Sequence, residues 1–135
     1  MERQTKILDA SIIVKWFSEE EQSEKAIALR DEYLLKKTNL AVSEITFLEV
    51  LNALRYKKKN EEEIKKANTA LWNLQMEILK TDDILLNKAI GISLKHNLTM
   101  YDAVYVALAE VHNATLITAD EALSKVPNTL LLKNL

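Results

Sequence analysis

The chain has almost none of the residues that build crosslinks, tight turns and flexible linkers. Its 135 residues include no cysteine, one glycine (Gly91) and one proline (Pro127). The absence of cysteine excludes disulfides, thiolate zinc sites and cysteine nucleophiles, so only oxygen and imidazole ligands remain for a metal. Because a chain of this length fits one domain and shows no linker, we expect a single domain spanning residues 1–135.

Long apolar runs and a strong charge of one sign are also missing. No apolar run reaches the roughly 18 residues that span a bilayer, and the opening MERQTK is charged where a signal peptide has an apolar core. We therefore expect a cytoplasmic protein. The formal net charge of −2 gives no general attraction to nucleic acid. Such binding would need a local basic patch or bound cations.

The residues that are present form short apolar strands that alternate with helical patterns. Hydrophobic residues make up 48% of the chain. The expected strands are 6–8, 40–43, 76–80, 115–118 and 129–132, and the expected helices are 10–17, one that begins at 18–20, 44–58, 61–75, 84–96, 101–112 and 120–125. This alternation predicts an α/β fold with three α/β/α layers and a central, mainly parallel sheet.

Four carboxylates lie far apart in the chain, each beside an apolar strand or helix: Asp9, Glu49, Asp102 and Asp120. In open parallel sheets, sites lie at the carboxyl ends of the strands, where such side chains converge. An ionised carboxylate against an apolar surface is costly unless hydrogen bonds, a positive charge or a cation compensates it. Few cationic side chains are near these four in the sequence, so the pattern predicts a divalent-metal site.

Each acid also has a purely structural interpretation. Asp9 and Asp120 are suitable N-caps for the helices expected after them, and Thr99 and Asp102 have capping-box spacing. Glu49 is harder to explain in this way, because it is predicted to lie in mid-helix, where no terminal amide needs a partner. Capping does not explain why four acids all occur at strand exits or core helices, so the combination favours the metal site.

In this order and at these intervals the motifs resemble those of the PIN-domain ribonucleases, and within them the VapC-like toxins of toxin–antitoxin pairs. The strings ILDASIIVKWF, EVLNAL, YDAVYVALAE and LITADEAL are similar to the family's four acid motifs, and the resemblance covers essentially the whole chain. It implies a PIN-like domain in which Asp9, Glu49, Asp102 and Asp120 bind Mg²⁺ or Mn²⁺. It also implies that Thr118 orients the last carboxylate or a metal-bound water.

The activity implied by the resemblance is that of a divalent-metal-dependent endoribonuclease, the toxin of a toxin–antitoxin pair. An RNA substrate, a homodimer and inhibition by a cognate antitoxin are implied in the same way. In place of the proline often found before the glutamate helix the chain has Ser43 and Glu44, and no clear fifth acid lies near Asp120. The second departure leaves open whether one or two metals bind.

Two other functions remain open. One is a PIN nuclease for RNA processing or another nucleic-acid substrate, with no antitoxin. The other is a non-catalytic module, either a degenerate PIN domain or a receiver-like signalling domain. A receiver usually has adjacent acids after its first strand, whereas Asp9 is followed by Ala10. A degenerate PIN domain should lack one of the four acids, and none is missing.

Contacts to a nucleic-acid backbone are harder to predict. The densest basic cluster is Arg55, Lys57, Lys58 and Lys59, on the helix that carries Glu49, and such a cluster can follow a phosphate backbone. Cations at the end of a helix are also favoured by the helix dipole, which is the interpretation we prefer.

Overall fold

The structure, a computed structural model, describes residues 3–135, which form a five-stranded, all-parallel sheet. The strands in chain order are β1 (Thr5–Leu8), β2 (Asn39–Ser43), β3 (Glu77–Leu79), β4 (Thr115–Thr118) and β5 (Thr129–Leu131). Their order across the sheet is β3-β2-β1-β4-β5. All five strands lie within one or two residues of the ranges expected from the sequence.

In the described part of the chain, six α-helices cover the sheet: α1 (Ala10–Phe17), α2 (Ser23–Leu34), α3 (Thr46–Tyr56), α4 (Glu61–Asn73), α5 (Asp83–His96) and α6 (Met100–Val111). Two 3₁₀ helices, Leu123–Lys125 and Leu132–Asn134, flank β5. Within residues 3–135, no helix is both long enough and apolar enough to cross a membrane.

Two hydrophobic cores lie on opposite faces of the sheet. The first core contains residues of α1 to α4, and the second contains residues of α5 and α6. Successive strand residues alternate between them, because side chains of a strand point to opposite faces. This is visible in three neighbouring pairs: Ile7 and Leu8, Ala41 and Val42, and Leu116 and Ile117. The three-layer α/β/α prediction is confirmed.

The strand order places the ends of β1 and β4 side by side. β1 pairs with β2 on one side and with β4 on the other, and Leu8 is opposite Ile117. The chain direction across the sheet therefore reverses between these strands, and ligand sites of open α/β sheets lie at such a switch point. Asp9, which follows Leu8, and Thr118, which follows Ile117, are consequently neighbours.

Two helices begin later than the sequence pattern predicted, because side chains hydrogen bond to the backbone before them. Expected at residues 18–20, α2 begins at Ser23, whose hydroxyl accepts a hydrogen bond from the Glu20 amide at 2.9 Å. Expected at residue 44, α3 begins at Thr46, whose hydroxyl accepts from the Ser43 amide at 2.9 Å. Such local bonds compete with helix formation.

The segment expected as a helix over residues 120–125 is instead a turn followed by the 3₁₀ helix Leu123–Lys125. A carboxylate oxygen of Asp120, Oδ1, accepts from the amide of Ala122 at 2.9 Å. This bond closes a turn of the kind that Asp side chains commonly form with the backbone two residues on. Asp120 therefore ends β4 with a turn and does not cap an α-helix.

The scarcity of glycine has a visible consequence at the ends of the helices. Left-handed backbone conformations are taken by residues with side chains, with φ between 51° and 69°: Gln22, Lys36, Lys58, Gln75, Asn97, Asn113 and Asn128. Asparagine tolerates this region, but for other residues it costs about 1 kcal/mol or more. The three asparagines are thus well placed, whereas the lysines and glutamines are strained.

Candidate active site

Asp9 lies at the switch point between β1 and β4, and its carboxylate is nearly fully buried, at 7% exposure. Its Oδ1 accepts hydrogen bonds from the amide of Ser11, at 3.1 Å, and from the Ser11 hydroxyl. Its Oδ2 accepts from the hydroxyl of Thr118 at 2.5 Å. Asp9 is also the N-cap of α1. Capping of α1 uses only Oδ1 of Asp9. The capping role is therefore compatible with a role of the carboxylate in the candidate site.

The two hydroxyls beside Asp9 are themselves held by the backbone that follows β4. The hydroxyl of Thr118 accepts from the Asp120 amide at 3.1 Å, and the hydroxyl of Ser11 accepts from the Ala119 amide at 3.1 Å. Each hydroxyl thus accepts a hydrogen bond from a backbone amide and donates one to the Asp9 carboxylate. In this structure Thr118 orients Asp9, the first acid, whereas the resemblance implied that it orients Asp120, the last.

Glu49 lies in the first turn of α3 and is half-buried. The expectation that it lies in mid-helix was wrong, since α3 begins at Thr46. Its side chain does not bond to a helix amide. Instead, Oε1 accepts from the hydroxyl of Tyr105, on α6, at 2.6 Å, and this hydroxyl lies 2.7 Å from that of Thr46.

Asp102 is half-buried in the first turn of α6, whose N-cap is Thr99. The Thr99 hydroxyl accepts from the Asp102 amide at 3.1 Å, so Thr99 makes its part of the predicted capping box. Asp120, at the end of β4, is exposed.

The buried acids hold their protons more tightly than they would in water. Burial raises the pKa of Asp9 to about 6 from its ordinary 3.8, against the opposing effect of its bonds with Ser11 and Thr118. Burial also raises the pKa of Glu49, although the bond from Tyr105 opposes the increase. It raises the pKa of Asp102 in the same way. In each case the low-polarity surroundings disfavour the charged form.

A smaller, electrostatic contribution links all four acids. The negative charge of Asp102 adds to the increase in pKa of both Asp9 and Glu49, and the charge of Asp120 adds to that of Asp102. Like charges influence one another in this way only when they are close. Side chains from four separate parts of the chain thus influence one another electrostatically through Asp102.

Compensating positive charge is missing from this region. Among residues 3–135, no Lys, Arg or His side chain forms an ion pair with any of the four acids. Over the same residues, no group of three or more Asp, Glu or His side chains is arranged so that it could hold a metal ion. Mg²⁺ is commonly bound by one or two carboxylates and several waters. Uncompensated carboxylates, one of them buried, fit that donor set chemically.

Two lysines, Lys15 and Lys57 of the basic cluster, form ion pairs with Glu20. The Lys15 amino group lies 3.4 Å from Glu20 and donates to the Glu21 carbonyl at 2.8 Å, and its side chain is only 10% exposed. Lys57 forms an ion pair with the same Glu20. Of the basic cluster, Arg55, Lys57 and Lys58 are exposed. Through Glu20, Lys15 therefore links α1 to the end of α3.

Two residues of the site were missed by the sequence interpretation: Ser11 and Tyr105. Ser11 follows the N-cap by two positions, where a hydroxyl can reach back to the capping carboxylate. Tyr105 follows Asp102 by three positions, so both lie on one side of α6. Its hydroxyl is also the only polar group in the apolar stretch AVYVALA. That isolated polar group was a signal that it needs a buried partner.

The chain belongs to the PIN-domain family, whose sequence model matches residues 6–128. It is 32% identical over 125 residues to Ribonuclease VapC3 from Pyrobaculum aerophilum, a match that covers 88% of this chain and 92% of that protein. The resemblance to the PIN-domain ribonucleases and their VapC-like members is thereby confirmed.

Solved structures of similar fold include a toxin–antitoxin complex and a VapBC structure. A toxin–antitoxin complex from Klebsiella pneumoniae has a TM-score of 0.73 at 19% identity, covering 93% of this chain and 96% of that one. The structure of VapBC2 from Rickettsia felis, bound to a promoter DNA fragment, has a TM-score of 0.67 at 19% identity, covering 95% and 97%. At this level of identity the two structures support the fold.

Proposed function

We propose that this protein is a divalent-metal-dependent endoribonuclease, the toxin of a toxin–antitoxin pair, with one PIN-like nuclease domain over residues 1–135. Membership of the PIN-domain family supports a nuclease, and the 32% identical relative is named a ribonuclease. The solved structures of similar fold support an antitoxin partner, because they are toxin–antitoxin complexes. We extend the proposal to an RNA substrate, a homodimer and a cytoplasmic location, where RNA would be available.

The observation that carries the proposal is the acidic region without compensating cations. Asp9, Glu49, Asp102 and Asp120 would provide the oxygen ligands for Mg²⁺ or Mn²⁺. A bound ion of this kind lowers the pKa of its water and neutralises charge on a phosphodiester undergoing in-line displacement. The protein's own contribution is to hold the carboxylates. Thr118 and Ser11 fix Asp9 at the switch point, so that it cannot turn away from the substrate face.

The acidic region also makes RNA binding dependent on cations. Without a bound metal, four carboxylates facing one region repel a phosphate backbone. The net charge of −2 does not offset this repulsion. We therefore expect divalent ions to control both RNA binding and cleavage, and a chelator to abolish both.

The test is cleavage of a mixed RNA pool by the wild type and by Asp102→Asn in Mg²⁺, Mn²⁺ or EDTA. Asp83→Asn is the matched control, because Asp83 is an exposed aspartate in the first turn of α5, as Asp102 is in the first turn of α6. We expect Asp102→Asn to lose more than the roughly 10- to 100-fold that an outer partner of a metal site contributes. Asp83→Asn should cleave as the wild type does. Equal cleavage by all three proteins would refute the assignment and indicate a contaminating nuclease.

A toxin is distinguished from an RNA-processing nuclease by its effect on growth. Expression of the wild type should arrest growth, and co-expression of a small neighbouring antitoxin gene should relieve the arrest. Asp102→Asn should be harmless although it still binds the antitoxin. Growth that continues during active RNA cleavage would instead favour the processing nuclease.

A further inference from the structure

A continuous set of hydrogen bonds leads from the end of β2 to the carboxylate of Glu49. The amide of Ser43 donates to the Thr46 hydroxyl at 2.9 Å. The Thr46 and Tyr105 hydroxyls are 2.7 Å apart, and the Tyr105 hydroxyl lies 2.6 Å from Oε1 of Glu49. Ser43, Thr46 and Tyr105 are at most 3% exposed. Water therefore has little access to the inner part of this set, and each group must find its partner within the protein.

The Ser43 amide at one end and the Glu49 carboxylate at the other determine which group donates in each hydrogen bond of this set. An ionised carboxylate can only accept, so Tyr105 donates to Glu49. The Tyr105 oxygen is then free to accept from Thr46. The Thr46 oxygen in turn accepts from the backbone amide of Ser43. Because burial raises the pKa of Tyr105 well above its ordinary range, its hydroxyl keeps the proton that it donates.

The hydroxyl of Tyr105 is not needed to fill the core. The other buried residues of α6 are all apolar: Ala103, Val106, Ala107, Leu108 and Ala109. A phenylalanine ring would occupy almost the same volume, and burying a hydroxyl without a partner is unfavourable. The contact with Glu49 is therefore what a tyrosine provides here that a phenylalanine does not.

We propose that Tyr105 is a positioning residue that holds Glu49 in the orientation required to bind the divalent ion. Thr46 supports it by fixing the orientation of the Tyr105 hydroxyl. The inference rests on the proposed function, because it concerns the same metal site. Glu49 has a long side chain, and without this bond its carboxylate would be free to adopt other rotamers. The bond engages Oε1, which leaves the second oxygen of the carboxylate for the ion.

Mn²⁺ binding, measured by titration calorimetry with a spectroscopic check of folding, tests this role without requiring cleavage. Tyr105→Phe removes only the hydroxyl, and we expect it to weaken Mn²⁺ binding about 10-fold or more, as loss of an outer partner of a metal ligand does. Tyr101→Phe is the matched control. It removes the hydroxyl of a 64% exposed tyrosine one turn away on α6, and binding should not change.

The second arm tests whether the effect passes through Glu49. In a Glu49→Gln background, adding Tyr105→Phe should cause no further loss of Mn²⁺ affinity, because residues that act through one another are not additive. Thr46→Val should weaken binding in the same direction, and Thr46→Ser, which keeps the hydroxyl, should restore it. A tyrosine that only stabilised the fold would show neither the coupling nor the rescue.

Unchanged Mn²⁺ affinity in Tyr105→Phe, or an equal loss in the Glu49→Gln background, would overturn the inference. Measuring whether the wild type cleaves RNA distinguishes failure of the inference about Tyr105 from failure of the proposed function. If the wild type cleaves RNA and Tyr105→Phe binds Mn²⁺ normally, only the role of Tyr105 is wrong. If the affinities follow the expected pattern but no RNA is cleaved, only the ribonuclease assignment is wrong. A wild type that binds no Mn²⁺ overturns both.

Discussion

Replacing Asp9 by asparagine should stabilise the metal-free protein at neutral pH, although it removes a central residue of the site. The perturbation eliminates a buried negative charge and keeps the shape of the side chain. Asp9 has a pKa of about 6 in the folded protein against 3.8 for the free residue, and it is 7% exposed. The folded protein therefore holds a proton on Asp9 at pH values where the unfolded chain has already released it.

The sign of the pH dependence follows from that difference. Since the folded pKa is the higher one, the favourable contribution of protonated Asp9 is fully present below about pH 4 and is lost as the pH rises through about 6. A difference of about two pH units corresponds to about 3 kcal/mol at pH 7. The Asp9→Asn variant would lose an acceptor for the Thr118 hydroxyl, which costs about 1 kcal/mol. We expect a net gain of about 2 kcal/mol at pH 7 and a loss of about 1 kcal/mol at pH 4.

Urea denaturation in EDTA, followed by circular dichroism at several values between pH 4 and pH 7, measures this difference. Asp83→Asn, which removes an exposed aspartate, controls for the loss of one surface charge. The free energies of unfolding of the wild type and Asp9→Asn should cross within this range. If the difference between the two free energies of unfolding does not change with pH, burial of Asp9 does not destabilise the folded protein and the reasoning is refuted.

A divalent ion should reverse the order of stability at pH 7. An ion at 100 times its dissociation constant stabilises the folded state by about 2.7 kcal/mol. The wild type should gain this amount on addition of Mn²⁺, whereas Asp9→Asn should gain little, because it has lost a charged ligand. Equal stabilisation of both proteins by Mn²⁺ would place the ion somewhere other than beside Asp9.

Three further substitutions test the scaffold by measured free energies of unfolding. Ser11→Ala should cost about 1–2 kcal/mol, because it removes one of the donors to the buried Asp9 carboxylate and leaves the Ala119 amide without its hydroxyl partner. Gly91→Ala should add about 0.5–1 kcal/mol, since a Cβ at this position in α5 meets nothing within 4 Å. Gln75→Gly should also stabilise, by about 0.5 kcal/mol, because relief of the left-handed conformation at φ 54° outweighs the extra entropy of the unfolded chain. A loss of stability from either glycine change would contradict the conformational argument.

The layers of the fold could be predicted from the sequence because they depend on local patterns. Short apolar runs bounded by polar residues marked every strand, and the helical periodicity marked the helices between them. The beginnings of α2 and α3 could not be predicted, since they depend on whether the hydroxyls of Ser23 and Thr46 bond to the backbone before them. Periodicity of apolar residues carries no information on such bonds.

The sequence pointed to the four acids and, through the resemblance, to Thr118, but not to the contacts that hold the acids in place. Thr118 and Asp9 are 109 residues apart, and Tyr105 and Glu49 are 56 residues apart. Each pair depends on the register between strands or on how a helix packs, which a single sequence does not specify. The N-cap interpretation of Asp9 was correct and did not compete with the site, because the two oxygens have different partners.

Asp9 and Glu49 are held by the same arrangement on two sides of the site. Each carboxylate accepts from a buried hydroxyl, Thr118 or Tyr105, and the supporting hydroxyl accepts from the backbone at the end of a strand, either directly or through Thr46. These bonds fix the carboxylates but leave their negative charge uncompensated. Under the proposed function, a divalent ion would therefore meet ligands that are already oriented, and it would remove a repulsion that destabilises the folded chain. Because burial both orients Asp9 and raises its pKa, the proposed site would gain its affinity for a cation at the expense of metal-free stability.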